Sequence, residues 1–352
     1  MKLNMIKLFI LLQIYFSFLI TLFATEPEYI TFTGVGDIMM GTDFPLNRKK
    51  LPENNGQNLF KYISQDLKGT DIIFGNLEGV LSNNGKCAKD VSNPKYWAFR
   101  TPTSFADSLK TAGFNVMSLS NNHAYDFGIQ GFNNSISALK TNNIQSAGGK
   151  SVFARFQFNH LKIILIAFST NPNVLSIINI EEAKRLINSL NKQYDIIIVS
   201  FHGGKEGIKA LHVKNEPEFM YSEPRGNVVQ FAHSVIDSGA DLVIGHGPHV
   251  PRAIELYKNR LIAYSLGNFC TYGIISIKNQ AGYAPILKVT MNETGEFIAG
   301  KIISCIQKYP GYPVPDPQNR AFNLIKTLTQ TDFPETNLTF SDSGDILIKT
   351  KE

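Results

Sequence analysis

Asp241-Leu242-Val243-Ile244-Gly245-His246-Gly247-Pro248-His249 is the stretch that decides how this 352-residue chain folds. Its first half is a short β-branched apolar run bounded by turn residues, which reads as a buried strand. Its second half is a Gly-Pro turn flanked by two imidazoles. The same pattern recurs along the chain. The apolar run 29–35 leads to Asp37, 71–74 leads to Asn76 and Glu78, and 114–119 leads to Asn121, Asn122 and His123. Likewise 195–200 leads to His202 and Glu206, and 260–265 leads to Asn268. Helical periodicity fills the gaps at about 103–112, 128–141, 180–192 and 226–238. Strands alternating with helices predict an α/β protein, and open α/β sheets place their sites just past the C-terminal ends of strands.

Composition agrees with a globular chain. Hydrophobic residues make up 43% and charged residues 18%, which argues against disorder or a fibrous protein. The net charge of +5 comes with no basic run or aromatic-basic stripe, so nucleic acid is not an expected partner. Two of the surplus lysines, Lys2 and Lys7, precede a mostly apolar run over 8–24. That pattern predicts an export signal or N-terminal membrane anchor over 1–24, and hence an exported protein. Three cysteines allow at most one disulfide; Cys270 and Cys305 read as core, and Cys87 as a loop thiol. Hairpins are predicted over 256–264, turning at Lys258-Asn259, and over 286–303, turning at 293–295. From about 309 the chain becomes Pro-rich, with a helix near 319–329 and a strand near 346–349. The expected organisation is a leader at 1–24, one main domain over 28–308, and a C-terminal extension over 309–352 packed on it.

The strand-end residues form a set with chemical meaning. Asp37, Glu78, Asn122, His202, His246 and His249 supply two carboxylates, an amide and three imidazoles. Mixed O/N ligation without thiolate suits Mn, Fe or Zn. Six side chains exceed what one ion in an open catalytic site usually takes, so two divalent ions fit better. A pair about 3.5–4 Å apart can clamp both oxygens of an in-line displacement, with Glu78 as the natural bridge. His123 is then placed to act on substrate as an acid or charge stabiliser. Arg100, near Trp97 and Phe99, is a candidate clamp for a substrate anion. Glu206 is expected to orient His202, and Asn76 and Asn268 to support the strand ends. Asp126 is expected to cap the following helix. His160, His212 and His233 lie outside the pattern and read as structural. The Gly34-x-Gly36 pair does not complete a dinucleotide fingerprint, because Met39 stands where glycine is required.

These motifs together resemble the calcineurin-like metallophosphoesterase superfamily, and within it the CapA family of capsule and poly-γ-glutamate synthesis proteins. The carrying residues run in order over about 30–290. They are Gly36-Asp37-Ile38-Met39-Met40-Gly41, Gly75-Asn76-Leu77-Glu78-Gly79, Phe99-Arg100-Thr101-Pro102 and Asn121-Asn122-His123-Ala124-Tyr125-Asp126. His202-Gly203-Gly204-Lys205-Glu206, Gly245-His246-Gly247-Pro248-His249 and Tyr264-Ser265-Leu266-Gly267-Asn268 complete them. The resemblance implies a four-layer αββα sandwich with the metal site at one edge of its two sheets. It also implies involvement in capsule or poly-γ-glutamate assembly. Three positions depart from the wider superfamily. Met39 replaces a histidine, Glu78 stands where Asp is usual, and two residues rather than one separate His246 from His249.

The expected function is phosphoester hydrolysis by a metal-activated water in the cell envelope. The expected partner is an anionic envelope polymer or a phosphorylated precursor. The competing expectation is a non-catalytic accessory that binds or tethers an anionic envelope polymer, and Met39 is its main support.

Overall fold

The structure is a computed structural model and describes residues 28–93 and 96–349. The segment expected to be a leader, 1–24, lies outside the described residues. The strands that position the site are β1 (Tyr29–Met39), β2 (Ile72–Leu77), β3 (Val116–Ser118), β4 (Leu161–Ser169), β5 (Ile196–His202), β6 (Leu242–His246), β7 (Arg260–Ala263), β8 (Asn268–Thr271), β9 (Ile286–Asn292) and β10 (Phe297–Ile303). The longer helices are α1 (Ala106–Ala112), α2 (Gly128–Thr141), α3 (Ile180–Leu190), α4 (Val228–Asp237) and α5 (Arg320–Asp332).

Two mixed sheets organise the chain. The first runs Leu338–Phe340, Asp345–Ile348, β10, β9, β1, β2, β3, Gln145–Ala147, with β8 paired parallel to the end of β1. The second runs Ile254–Tyr257, β7, β6, β5, β4, Ala154–Phe158, with Leu175–Ser176 paired to β4. The period-2 alternation of each strand decides what lies where. Phe32, Phe74 and Val116 from the first sheet meet Leu165, Ile198 and Ile244 from the second in one apolar layer. The opposite faces are covered by helices. Val35, Ile73 and Met117 pack under Leu109 of α1 and Leu139 of α2. Ile197, Val199 and Val243 pack under Ile187 of α3 and Phe231 of α4. The result is a four-layer αββα sandwich. Strands buried on both faces read as apolar runs, and β5 is buried at every position and apolar but for Ser200 and His202.

The expected hairpins form. Lys258 and Asn259 both take positive φ, as a two-residue type I′ turn requires. The cysteines are free, with Cys270 and Cys305 buried in the core. The segment from 309 onward is threaded into the molecule. Residues 338–340 and 345–348 extend the first sheet, and Phe322 and Ile325 of α5 join the layer between the sheets. Among the described residues no helix is long and apolar enough to cross a membrane.

Asp241 clamps the second sheet. Its carboxylate accepts from the Ile197 amide at 2.9 Å and pairs with Arg260 Nε at 2.9 Å, tying the starts of β5, β6 and β7 together. Asp241→Ala leaves a buried amide and a half-buried guanidinium without their acceptor. The expected cost is about 2–3 kcal/mol, read as a lower urea midpoint.

Candidate metal centre

Strand register lines up the polar ends. In the first sheet Asp37 is directly opposite Asn76 on β2 and Asn268 on β8. In the second, His202 is directly opposite His246. Glu78 sits in the turn after β2, its amide bonded to the Ile38 carbonyl at 2.9 Å. His249 stands in the loop after β6 with φ of 59°, a conformation that costs free energy for a residue with a Cβ.

Because both sheets end at the same edge, these groups converge. Asp37 Oδ1 lies 3.4 Å from His246 Nδ1, and Asp37 Oδ2 lies 3.1 Å from His249 Nδ1. Glu78 Oε1 lies 3.4 Å from His202 Nε2 and 3.6 Å from His249 Nε2. One ligand-type atom from each of Asp37, Glu78 and His249 falls within 4.8 Å of the other two. Asn76 Nδ2 donates to Asp37 Oδ1 at 2.9 Å. The Asn268 amide oxygen lies 2.9 Å from His249 Nδ1, which fixes the ring and turns Nε2 toward Glu78.

The electrostatics are those of a site built for positive charge. Asp37, Glu78, His202 and His246 are fully buried. Asp37 Oδ2, both Glu78 oxygens, Asn122 Oδ1 and both ring nitrogens of His202 and His246 are buried without a hydrogen-bond partner. Orphaned buried polar atoms are costly, and so many at one point call for a ligand. Burial pushes the Glu78 carboxyl up to about 7, with the nearby Asp37 carboxylate adding to the rise. Burial lowers His202 to about 3, which leaves a neutral imidazole. Burial also works against charge on His249, but Glu78 and Asp37 override it and push the ring up to about 10. Burial works to raise Asp37 too, yet the His246 and His249 imidazoles beside its two oxygens hold it well below the usual carboxylate range. This donor set, oxygen and imidazole nitrogen without sulfur, fits divalent cations of the Mn, Fe and Zn kind.

His123 lies beside this cluster rather than in it. Its ring packs 4.3 Å from Phe99 between centroids, and its Nδ1 is 2.8 Å from Asp126 Oδ2. Asn121 ties the motif to β2 by donating to Asn76 Oδ1 at 3.1 Å and to the Leu77 carbonyl at 2.9 Å.

Three expectations need correction. Glu206 does not bond His202; its Oε1 pairs with Arg225 Nη2 at 3.1 Å, because the Gly203-Gly204 turn carries it toward that guanidinium. Asp126 does not cap α2, whose N-cap is Phe127 with no side-chain bond. Its carboxylate accepts from the Phe99 amide at 2.7 Å and holds His123 instead. Arg100 is engaged elsewhere than at the cluster. Its Nε pairs with Asp43 at 2.7 Å and its guanidinium lies over Phe44 and Phe127, which neutralises the charge expected to clamp an anion. Met39 is buried, and its sulfur accepts from the Gly41 amide at 3.3 Å. One participant was not foreseen: Lys89, whose amine reaches Asp126, Trp97 and Asn122 from a polar loop with no periodic pattern.

The sequence matches the family described as bacterial capsule synthesis protein PGA_cap over residues 31–272. It is 30% identical over 270 residues to a capsule biosynthesis protein CapA of Bacillus anthracis, covering 69% of this chain and 60% of that one. It is 28% identical over 257 residues to a PGA biosynthesis protein CapA of Bacillus subtilis (strain 168), covering 67% and 61%. The chain thus spans about three fifths of the length of these relatives. A solved 5'-nucleotidase precursor from Thermus thermophilus aligns at 12% identity with a TM-score of 0.43, over 86% of this chain and 59% of its own.

Proposed function

Because the chain belongs to the bacterial capsule synthesis protein PGA_cap family, we propose that its buried carboxylate–imidazole cluster is a divalent-metal hydrolase centre acting on phosphoesters in the cell envelope. The carrying observation is the convergence of buried, largely partnerless oxygens and nitrogens on Asp37, Glu78, His202, His246 and His249. Asp37, Glu78, Asn122, His202, His246 and His249 are the residues that would hold two ions, with Glu78 shared. When bound, such ions polarise a phosphoryl oxygen and lower the pKa of water. The protein's own residues do the rest. Asn268 fixes the His249 ring, and Asn76 orients Asp37. Asp126 accepts the Nδ1 proton of His123, so it is the doubly protonated ring whose Nε2 proton would pass to the leaving oxygen. In this reading the protein is exported through its N-terminal segment, and its substrate is an anionic envelope polymer or a phosphorylated precursor of one.

Met39 favours a second reading. Its sulfur is turned to the Gly41 amide where the wider superfamily has an imidazole, so one metal position is a ligand short. A protein so altered would serve as a non-catalytic accessory that tethers an anionic polymer.

One set of measurements separates the two. The purified protein is expected to carry metal above trace stoichiometry and to turn over a phosphomonoester or phosphodiester with Mn, Zn or Fe. His249→Ala is expected to lower that turnover at least about a hundredfold, more than the loss typical of a residue behind a metal ligand. A wild type with trace metal and no turnover sinks the hydrolase reading. Retention of an anionic polymer by both wild type and His249→Ala would then favour the accessory.

A further inference from the structure

Lys89 holds a place that neither the motif pattern nor the proposed metal chemistry explains. It lies in the irregular segment between Leu81 and Arg100, and its side chain is only 28% exposed. Its amine lies 2.5 Å from Asp126 Oδ1, 3.1 Å from the Asn122 carbonyl and 3.2 Å from the Trp97 carbonyl. An ammonium has three N–H donors and no acceptor; two go to the carbonyl oxygens, and the remaining positive face is taken up by the Asp126 ion pair. The amine is also 3.2 Å from His123 Nδ1, but that nitrogen already faces Asp126 Oδ2 at 2.8 Å. The consistent assignment puts a proton on His123 Nδ1, donated to Asp126, with Lys89 on the other carboxylate oxygen. With its donors spent, Lys89 has none left for a substrate.

We propose that Lys89 is a positioning residue that fixes the His123 ring through Asp126 and aims the Asn122 side chain by holding its carbonyl. Three consequences of the geometry support this. Asp126 is fully buried, its Oδ2 is shared by the Phe99 amide and His123, and Lys89 supplies the charge that faces its other oxygen. The Asn122 backbone is held on one side by Lys89, while its Oδ1 stays unpartnered and free for a ligand. The Trp97 contact ties Lys89 to the strand entry beside the Phe99–His123 stack.

This rests on the hydrolase reading for its kinetic consequence, though not for its geometry. If His123 donates a proton to the leaving oxygen, a misplaced ring matters most where the leaving group is a poor one. The experiment compares wild type, Lys89→Met and Lys89→Arg. Methionine keeps much of the apolar stem and removes the charge. Turnover is measured on an alkyl phosphoester and on a nitrophenyl phosphoester, with melting temperature and metal content as controls. Nitrogen-15 NMR of the histidine side chains follows the hydrogen-bonded Nδ1 proton of His123. Lys89→Met is expected to lose about 10–100-fold in kcat on the alkyl ester. Its loss on the nitrophenyl ester should be several-fold smaller, KM should be little changed, and the Nδ1 proton signal should disappear. Lys89→Arg is expected to recover part of both. Equal losses on both esters, or an Nδ1 proton that survives in Lys89→Met, overturn the proposal. If the wild type turns over neither ester, the hydrolase reading fails, and the NMR signal alone decides whether Lys89 holds the ring.

Discussion

Replacing Glu78 with glutamine is expected to stabilise the metal-free protein while lowering its metal affinity at least about a hundredfold. The two effects share a cause. Glu78 is fully buried with both oxygens unpaired, and its carboxyl is pushed from an ordinary 4.5 up to about 7. A carboxyl whose folded value exceeds its unfolded one imposes no cost below about 4.5. The cost grows as pH rises toward 7 and then levels off. Glutamine has the same shape and no charge, so it escapes that cost. Without metal, the variant should melt level with wild type near pH 4.5 and a few degrees above it near pH 8. With Mn or Zn present the order should reverse, because only the carboxylate can share its oxygens between cations. Calorimetric melting curves at the two pH values, with and without metal, check this. A variant that melts below wild type at pH 8 without metal would show that Glu78 is a structural ion-pair partner of His249.

Gly36→Ala is expected to be the most damaging single-methyl change at this edge. A Cβ on Gly36 would lie 2.0 Å from the Gly267 carbonyl oxygen and 2.7 Å from the Leu266 carbonyl oxygen. Both obstacles are backbone, so no side-chain rotation relieves them. The Asp37 amide donates to that same Gly267 oxygen at 2.8 Å, so the strand cannot back away without breaking the bond that seats Asp37. Overpacking of this kind costs about 1–3 kcal/mol or more. Here β1 and β8 would have to part where Asp37 and Asn268 sit side by side. The expected result is loss of both stability and metal binding, measured as a lower urea midpoint and as metal content after dialysis. Unchanged metal content in a folded variant would mean that Asp37 is not seated by this contact.

Much of this arrangement was legible in the sequence because buried strands write themselves as apolar runs, and each polar residue at a run's end stands out. Asp37, Asn76, His202 and His246 were found that way, and register then places them side by side. Local periodicity also gave the four helices that cover the sheets and the Lys258-Asn259 turn. What stayed hidden depends on contacts between distant segments. Asp126 stands one residue before the N-cap Phe127, so sequence position suggested a cap; tertiary packing turned its carboxylate to His123. Glu206 follows His202 closely, but its partner Arg225 arrives from a hairpin that only the fold brings near. Lys89 sits in a loop whose composition carries no period at all.

The strands that close the first sheet bear on where this molecule can be cut. The family match ends at residue 272, yet β1, which carries Asp37, pairs along most of its length with β9, residues Ile286–Asn292. Beyond it β10 is covered by Asp345–Ile348. A chain ended at the family boundary would therefore leave a long, apolar strand edge bare beside Asp37. Such edges seek other chains, so the shortened protein should oligomerise or precipitate before its chemistry could be assayed. The evolutionary unit and the mechanical unit are of different lengths here, and the edge that carries Asp37 is held by the longer one.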